Sequence, residues 1–214
     1  VLEFPKYTPS MTVLVPVTGD TKFEINERLY LNIANPTVAT LNDTQGQGLI
    51  INDDTQPVAS VVSASQLEGG VGTFPVVVEV VLSNKSYQTV TVNYAVVDGT
   101  ATLNVDYNGA VGTLTFLPDD VSESIGFNIL GDDQYEADET VSVQLTGIAN
   151  GTLIPASNGI FTILNDDTAP SLFIPNLMVE ERNSGSAVLT VTVTQNLVTG
   201  ADTTFTVTVG DGTA

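Results

Sequence analysis

The stretch QTVTVNYAV, residues 88–96, alternates apolar and polar side chains. On an extended chain, Val90, Val92, Tyr94 and Val96 fall on one side, and threonine and asparagine fall on the other. This period of two is typical of a half-buried antiparallel strand, and strands are rich in valine and threonine. The stretch therefore predicts a β-strand that turns one face towards a core.

The same alternation recurs along the chain, and no window has helical periodicity. Turn signals such as Asp98-Gly99 and Asn150-Gly151 separate the apolar runs at the spacing of about 8–12 residues that is typical of a sandwich. We expect an all-β fold of tandem immunoglobulin-like antiparallel β-sandwiches with about seven strands per repeat. The predicted core of residues 56–168 contains Val92, Tyr94, Val143, Leu145 and Ile163, and Val141 faces inward with Val143 and Leu145 in TVSVQLT. Leu189, Val191 and Val193 are predicted to face inward in AVLTVTVT, which lies beyond residue 168.

The chain repeats itself at the spacing of a domain. GDTKFEINERLYLNI at 19–33 matches GDDQYEADETVSVQL at 131–145, an offset of 131 − 19 = 112 residues. The tetrapeptide NDDT begins at Asn52 and again at Asn165, which is 165 − 52 = 113 residues later. The predicted organisation is the C-terminal half of a repeat at 1–55, a complete repeat at 56–168 and the N-terminal part of a further repeat at 169–214.

Both ends of the chain fall in the same loop of the predicted repeat, between its third and fourth strands. The chain also begins in the middle of the pattern, at VLEFPKY, without a signal peptide, so we interpret it as a piece of a longer protein. Neither partial repeat can bury its apolar face alone. We call residues 1–55 the head and residues 169–214 the tail. We therefore expect the tail of one chain to complete the head of the next in a head-to-tail assembly. The alternative is completion by neighbouring segments of a longer parent chain.

Composition and charge exclude several kinds of site. The 214 residues contain five Lys and Arg against 25 Asp and Glu, a net charge of −20, and they contain neither Cys nor His. Such a surface repels nucleic acid and anionic membranes and attracts cations. Disulfides, thiolate or imidazole ligands and His-dependent catalytic triads are excluded. No apolar run reaches the roughly 18 residues of a membrane span, so we expect no membrane insertion.

The acidic residues of the complete repeat are concentrated in four places. Glu68 follows the first predicted strand, Asp106 lies between the third and fourth, the loop GDDQYEADE precedes the sixth, and Asp166 and Asp167 end the last. In a seven-stranded sandwich these four places share one pole. Converging like charges require a counter-charge, and Ca²⁺ accepts about six to eight oxygen ligands in tolerant geometry, whereas Mg²⁺ requires a stricter octahedron. The alternatives are solvated turn formers and a glycosidase carboxylate pair, although nothing in the sequence indicates a substrate cleft.

Three segments carry a resemblance to a known family: VNYAVVDGTATLNVDYNGAVGTLTF, ILGDDQYEADETVSVQL and ILNDDT. They resemble the Calx-beta family of calcium-binding sandwich repeats, and the resemblance covers 56–168 and both partial repeats. It implies Ca²⁺ as the cofactor. Calcium-sensor members of the family often carry an acidic residue at the positions of Gly131 and Asn165. We therefore expect this chain to bind fewer Ca²⁺ ions, or to bind them more weakly, than a sensor domain. The implied ligands are Glu68, Asp106, Asp132, Asp133, the Gln134 carbonyl, Glu136, Glu139, Asp166 and Asp167 in the complete repeat, Asp20, Glu24, Glu27, Asp53 and Asp54 in the head, and Glu181 in the tail.

From these features we expect a calcium-binding structural repeat, and not an enzyme, in a large secreted or cell-surface protein such as an adhesin, stalk or filament. NDDTQPV and NDDTAPS run directly into the next repeat, and Pro57 and Pro170 stiffen that passage. Ca²⁺ would then set the angle between neighbouring repeats, which are the expected partners. The alternatives are a calcium sensor, an accessory ligand-binding module of a secreted hydrolase, and a metal-free spacer.

Overall fold

A computed structural model describes residues 2–180, 182–210 and 212 of the chain. Apart from one 3₁₀ turn at Pro155–Ser157, its regular structure is β-strand. No helix among the described residues has the length and hydropathy of a membrane span. In chain order the strands are β1 (Glu27–Asn32), β2 (Gln45–Ile50), β3 (Ala59–Val61), β4 (Ala64–Leu67), β5 (Gly72–Leu82), β6 (Val90–Asp98), β7 (Tyr107–Asn108), β8 (Val111–Phe116), β9 (Ser122–Gly131), β10 (Glu139–Ala149), β11 (Gly159–Leu164), β12 (Leu172–Phe173) and β13 (Thr194–Gln195).

Strands β3 to β11 form the two sheets of a sandwich, which confirms the predicted fold class. One sheet has the order β4-β11-β10-β6-β8 and the other has the order β3-β5-β9-β7. All neighbours pair antiparallel except β4 and β11, which run parallel. The prediction of about seven strands is two short of the nine observed. The first predicted strand divides because its halves pair with different sheets, and β7 is an additional two-residue strand.

The core lies between the two sheets and contains most of the residues predicted to face inward. Val92, Val143, Leu145 and Ile163 are buried, as the period of two predicted. Tyr94 is only partly buried, because its ring lies against Gly112 of the edge strand β8. The centre of the core is aromatic: the ring of Phe127 makes edge-to-face contacts with Tyr107 and Phe161, at centroid distances of 6.3 and 5.3 Å.

The partial repeats contain fewer strands than the pattern predicts. The head has the hairpin of β1 and β2, and the described part of the tail has only β12 paired with β13. The expected strand AVLTVTVT is formed only at its last residue, and Leu189 and Val191 are each 47% exposed. Their prediction as core residues is therefore wrong for this structure. The reason is physical: a period of two stabilises a strand only when a second sheet covers its apolar face.

Candidate metal centre

Four acidic segments follow the ends of β4, β6, β9 and β11, and the fold brings them together at one pole of the sandwich. The parallel pairing of β4 with β11 places Glu68 beside the exit of the last strand, where its amide donates to Leu164 O at 2.8 Å. The next amide, of Gly69, donates to Asp166 Oδ1 at 3.1 Å. On the other sheet, Leu130 N donates to Asp106 O at 2.9 Å, so β9 holds the Asp106 segment against the same pole.

The tightest carboxylate group at this pole consists of Asp106, Glu136 and Glu139. One carboxylate oxygen from each lies within 4.8 Å of the other two. The backbone amide of Thr102 donates to Asp106 Oδ2 at 2.6 Å and orients that side chain. Burial raises the pKa of Glu139 to about 7, and the neighbouring charge and hydrogen bond of Asp106 add to the effect. Burial and then the Asp106 charge also raise the pKa of Glu136.

A second group of acids completes what we call the acidic tip. The side chain of Glu68 is 6% exposed. Burial, followed by the charges of Asp132, Glu136 and Asp167, raises its pKa to about 7. Burial and the charge of Asp166 raise the pKa of Asp167, whose Oδ2 is buried and has no hydrogen-bond partner among the described residues. The acidic tip consists of eight carboxylates: Glu68, Asp106, Asp132, Asp133, Glu136, Glu139, Asp166 and Asp167.

The donor set of the acidic tip fits a hard divalent cation. Every side-chain donor is a carboxylate oxygen, and Ca²⁺ prefers oxygen ligands in numbers that such a set can supply. A buried carboxylate oxygen without a partner is costly unless a cation or hydrogen-bond donor faces it. The orphaned Asp167 Oδ2 therefore matches a bound cation better than an apolar surrounding.

Three polar residues near the acidic tip shape its loops. Gln134 donates from its backbone amide and its side chain to the two oxygens of Asp132, at 2.7 and 2.8 Å. Asp138 accepts the Asn165 amide at 3.0 Å. Asn165 accepts the Glu136 amide at 2.9 Å and donates to Asp167 O at 3.3 Å. An aspartate at 165 could accept but could not donate, which explains the asparagine in NDDT.

Gly131 lies where the backbone of residues 68–70 crosses the end of β9. A Cβ at this position would meet the carbonyl oxygens of Glu68 at 2.9 Å and of Gly70 at 2.7 Å, and that of Gly69 more closely still. Backbone atoms cannot swing away as a flexible side chain can. The structure therefore excludes at this position the acid that the sensor members often carry.

We expect Gly131→Asp to destabilise the complete repeat by at least about 1–3 kcal/mol, the usual cost of overpacking, without tightening cation binding. Gly126→Asp is the matched control, because it lies on the same strand and a Cβ there has only Val76 O nearby, at 3.9 Å. Urea unfolding of the two variants provides the comparison. Equal stability of the two variants would contradict the steric explanation.

The head repeats the loop geometry of the acidic tip, with one difference. Glu24 N donates to Asn52 Oδ1 at 3.0 Å and Asn52 Nδ2 donates to Asp54 O at 2.9 Å, as Glu136, Asn165 and Asp167 do in the complete repeat. The difference is Lys22, whose Nζ lies 3.7 Å from Glu24 Oε1. The remaining predicted head ligands, Asp20, Glu27 and Asp53, are exposed, and in the tail Glu180 is exposed while the predicted ligand Glu181 lies outside the described residues.

Sequence reasoning missed the contacts that the acidic loops make with the following repeat. Phe23 and Tyr135 occupy equivalent loop positions and form bridges to Ser86 and Thr199, respectively. Lys22 Nζ also lies 2.9 Å from Asp119 Oδ1 of the complete repeat. The sequence contained a signal for this contact. The offset of 112 aligns Lys22 with Gln134, so the head carries a basic residue in the loop that corresponds to the acidic loop GDDQYEADE.

A family model for the Calx-beta domain matches residues 1–55 and 53–167, which together are more than half of the chain. The chain belongs to the Calx-beta family. This confirms the resemblance found in the sequence. The two matches overlap at residues 53–55, and the bridge between Phe23 and Ser86 shows that the two matched regions contact each other within the chain.

Known proteins with similar Calx-beta sequences or structures are much longer than the chain, or match only part of it. Adhesion G-protein coupled receptor V1 of Danio rerio is 32% identical over 131 residues, which are 60% of this chain and 2% of that relative. The crystal structure of the apo-form Calx CBD1 domain is 26% identical, with 53% of this chain and 100% of that chain covered and a TM-score of 0.47. The structure of CBD12 from CALX1.2 is 26% identical, with 51% and 46% covered and a TM-score of 0.46.

The metal-free Calx-beta repeat is expected to lose stability as the pH rises. Glu68 and Glu139 have folded pKa values of about 7 against an ordinary 4.5, because they are buried and face Asp106, Asp132, Glu136 and Asp167. Between about pH 4.5 and pH 7 the folded state therefore binds more protons than the unfolded state, and the free energy of unfolding falls as pH rises.

Urea unfolding midpoints at pH 5, 6, 7 and 8 in metal-free buffer measure this trend. Glu68→Gln should flatten it, because that variant removes one of the two groups whose pKa is raised to about 7. A midpoint that rises across the range in wild-type chain, or a slope that Glu68→Gln leaves unchanged, would contradict the prediction.

Proposed function

We propose that the chain is a non-catalytic, calcium-binding structural repeat of a large secreted or cell-surface protein. The observation that carries the proposal is the acidic tip, in which eight carboxylates converge and Asp167 Oδ2 is buried with no hydrogen-bond partner in the part of the chain that the structure describes. Like charges this close destabilise a fold unless they are protonated or neutralised by a cation. Bound Ca²⁺ would supply the missing positive charge and would join the four loops through their carboxylates.

Within the acidic tip, Asp106, Glu136 and Glu139 form one set of proposed ligands because their oxygens already lie within 4.8 Å of one another. The other five carboxylates of the tip extend this set, and the carbonyl of Gln134 adds a neutral oxygen. The multiple acids favour Ca²⁺ over Mg²⁺, which keeps its waters and is usually bound through one or two carboxylates. The counterpart carboxylates in the partial repeats are Asp20, Glu27, Asp53, Asp54 and Glu181, whereas the expected head ligand Glu24 is already paired with Lys22.

Calorimetric titration of the metal-free chain with Ca²⁺ tests this assignment. The double variant Glu136→Gln with Glu139→Gln should weaken binding by about tenfold or more, since a loss of 1.4 kcal/mol already changes Kd tenfold. Glu123→Gln is the matched control, because Glu123 lies at the other end of β9 from the acidic tip. Absence of binding heat in wild-type chain, or equal Kd values for the double variant and control, would refute the site.

The linker between the head and the complete repeat supports a structural role, because it is held by hydrogen bonds. Pro57 is buried, and Thr152 N donates to its carbonyl at 2.8 Å. Asn84 Nδ2 donates to Thr55 O at 3.1 Å, so the complete repeat holds the linker that enters it. The adhesion receptor among the relatives supports an extracellular or cell-surface location. A Kd well below about 1 µM would favour a calcium sensor instead.

We also propose that each partial repeat is completed by complementary strands, from a neighbouring stretch of a parent chain or from a second copy arranged head to tail. Apolar side chains in both partial repeats remain uncovered: Tyr30 and Ile33 in the head and Phe205 in the tail are each more than half exposed. Open sheet edges with such faces pair readily with other strands. Light scattering that shows only monomer at high concentration would remove the second-copy arrangement.

A further inference from the structure

The acidic loops of the head and of the complete repeat dock onto the next repeat in the same way. At the first junction, Phe23 N donates to Lys85 O at 2.9 Å and Tyr87 N donates to Phe23 O at 3.0 Å. At the second junction, Gly200 N donates to Tyr135 O at 3.2 Å, and the Thr199 hydroxyl donates to the same oxygen at 2.7 Å. The turn between β5 and β6, and the turn that follows β13, therefore each lie on the acidic loop of the preceding segment.

The side chain that precedes the docking residue differs between the two junctions. At the first junction, Lys22 Nζ lies 2.9 Å from Asp119 Oδ1 across the junction and 3.7 Å from Glu24 Oε1 within its own loop. At the second junction the equivalent Gln134 donates to Asp132 in its own loop, and among the described residues it has no side-chain contact across the junction. The second junction therefore has no side-chain cation at this position, although Glu136 packs directly against Gly200 of the next repeat.

Asp119 is held in place to receive the ammonium group. Its backbone lies in the left-handed region with a φ of 74°, and its amide donates to Ser86 O at 3.0 Å. Ser86 is also the residue that bridges to Phe23. The ion pair and the backbone pairing therefore engage two loops that the hydrogen bond between Asp119 and Ser86 joins. The Lys22 side chain is only 23% exposed.

We propose that Lys22 is a built-in cation that holds the first junction without calcium, whereas the second junction depends on Ca²⁺. The Lys22 ammonium group places a positive charge beside Glu24, where bound Ca²⁺ would place one beside Glu136. The same ammonium group also pairs with Asp119 across the junction. One chain thus combines a calcium-independent junction with a calcium-dependent one. The second half of this statement rests on the proposed function, but the role of Lys22 can be tested in metal-free buffer.

The absence of cysteine from the chain allows site-specific spin labelling. Exposed strand positions Gln47 and Ser124 span the first junction, and Ser124 and Thr194 span the second. With a spin-labelled cysteine at each position, pulsed electron–electron double resonance gives the distance distribution for each pair. In wild-type chain we expect the first distribution to be narrow with and without Ca²⁺, and the second to narrow only when Ca²⁺ is added.

Lys22→Gln makes the head loop resemble the loop at Gln134. It should lower the ratio of docked to undocked first junction in metal-free buffer by about two- to fivefold, the range expected for an exposed ion pair. Lys85→Gln is the control, because Lys85 lies at the same junction and forms no ion pair with any described residue. Asp119→Asn should lower the same ratio to a similar extent, because it removes the other partner of the ion pair across the junction.

A Lys22→Gln distribution identical to that of wild type, or equal broadening by Lys85→Gln, would overturn the role of Lys22. Failure of the second junction to respond to Ca²⁺ would refute the calcium-dependent half, and the calorimetric titration then shows whether the proposed function fails with it. This outcome can be told apart from a failure of the Lys22 role. If Lys22→Gln still broadens the distance distribution of the first junction in metal-free buffer, the role of Lys22 is supported.

Discussion

Removal of Ca²⁺ is expected to lower the free energy of unfolding of the complete repeat by about 2.7 kcal/mol for each independent site, if the free ion stood at 100 times its Kd. The physical reason is linkage: the ion binds the converged carboxylates of the folded state and not the dispersed ones of the unfolded chain. Without it, eight carboxylates repel one another at one pole, and Glu68 and Glu139 are partly protonated near neutral pH.

The measurement is thermal unfolding in saturating Ca²⁺ and in excess chelator. For a domain of about 100 residues, each kcal/mol shifts the Tm by about 4–8 °C, so the loss of even one site is readily seen. Glu136→Gln with Asp166→Asn should abolish the difference between the two conditions, whereas Glu123→Gln should preserve it. Coincident melting curves of wild-type chain in Ca²⁺ and chelator would refute the metal centre.

Phe127→Ala is expected to destabilise the complete repeat by about 3–5 kcal/mol, the usual cost of truncating a buried aromatic side chain. Phe127 is 5% exposed, and its ring makes edge-to-face contacts with Tyr107 and Phe161 at interplanar angles of 82° and 86°. Such pairs contribute beyond their buried area. Tyr107 directly follows Asp106, so the same change should also weaken Ca²⁺ binding.

Urea unfolding in saturating Ca²⁺ measures the loss of stability, and the calorimetric titration described above measures the loss of affinity. Val77→Ala provides the control, because Val77 is 67% exposed on β5, the strand that pairs with β9, and surface truncations usually change stability by less than about 0.5 kcal/mol. A loss below about 1 kcal/mol for Phe127→Ala would contradict the assignment of this ring to the centre of the core.

Much of the sandwich could be predicted because strand periodicity is local. Side chains in a strand point alternately to opposite faces, so the patterns in QTVTVNYAV and TVSVQLT were sufficient to place Val92, Val143 and Leu145 in the core. The pattern could not show whether a second sheet covers the predicted face. Leu189 and Val191 have the same pattern and are exposed in the structure, because burial depends on distant partners.

The acidic tip was partly predictable for a related reason. Clustering of acids in four loops, and the repeat of NDDT, are visible in the chain, and the order of strands in a sandwich places such loops at one pole. The sequence did not predict the hydrogen bonds that Asn165 makes, nor the lack of space for a side chain at Gly131. Both depend on backbone groups that other segments of the chain bring close.

By itself, then, the sequence determined the fold class, the family, the repeat and the concentration of carboxylates, because each is written in local periods or in recurring motifs. The tertiary structure decided that Asp167 Oδ2 has no hydrogen-bond partner within residues 2–180, 182–210 and 212. It also decided which acids lie close together and that Lys22 reaches Asp119, which is 119 − 22 = 97 residues away. Contacts of this kind arise where loops of different strands and different repeats meet. Their distances are set by the packing of the sheets, which no local pattern encodes.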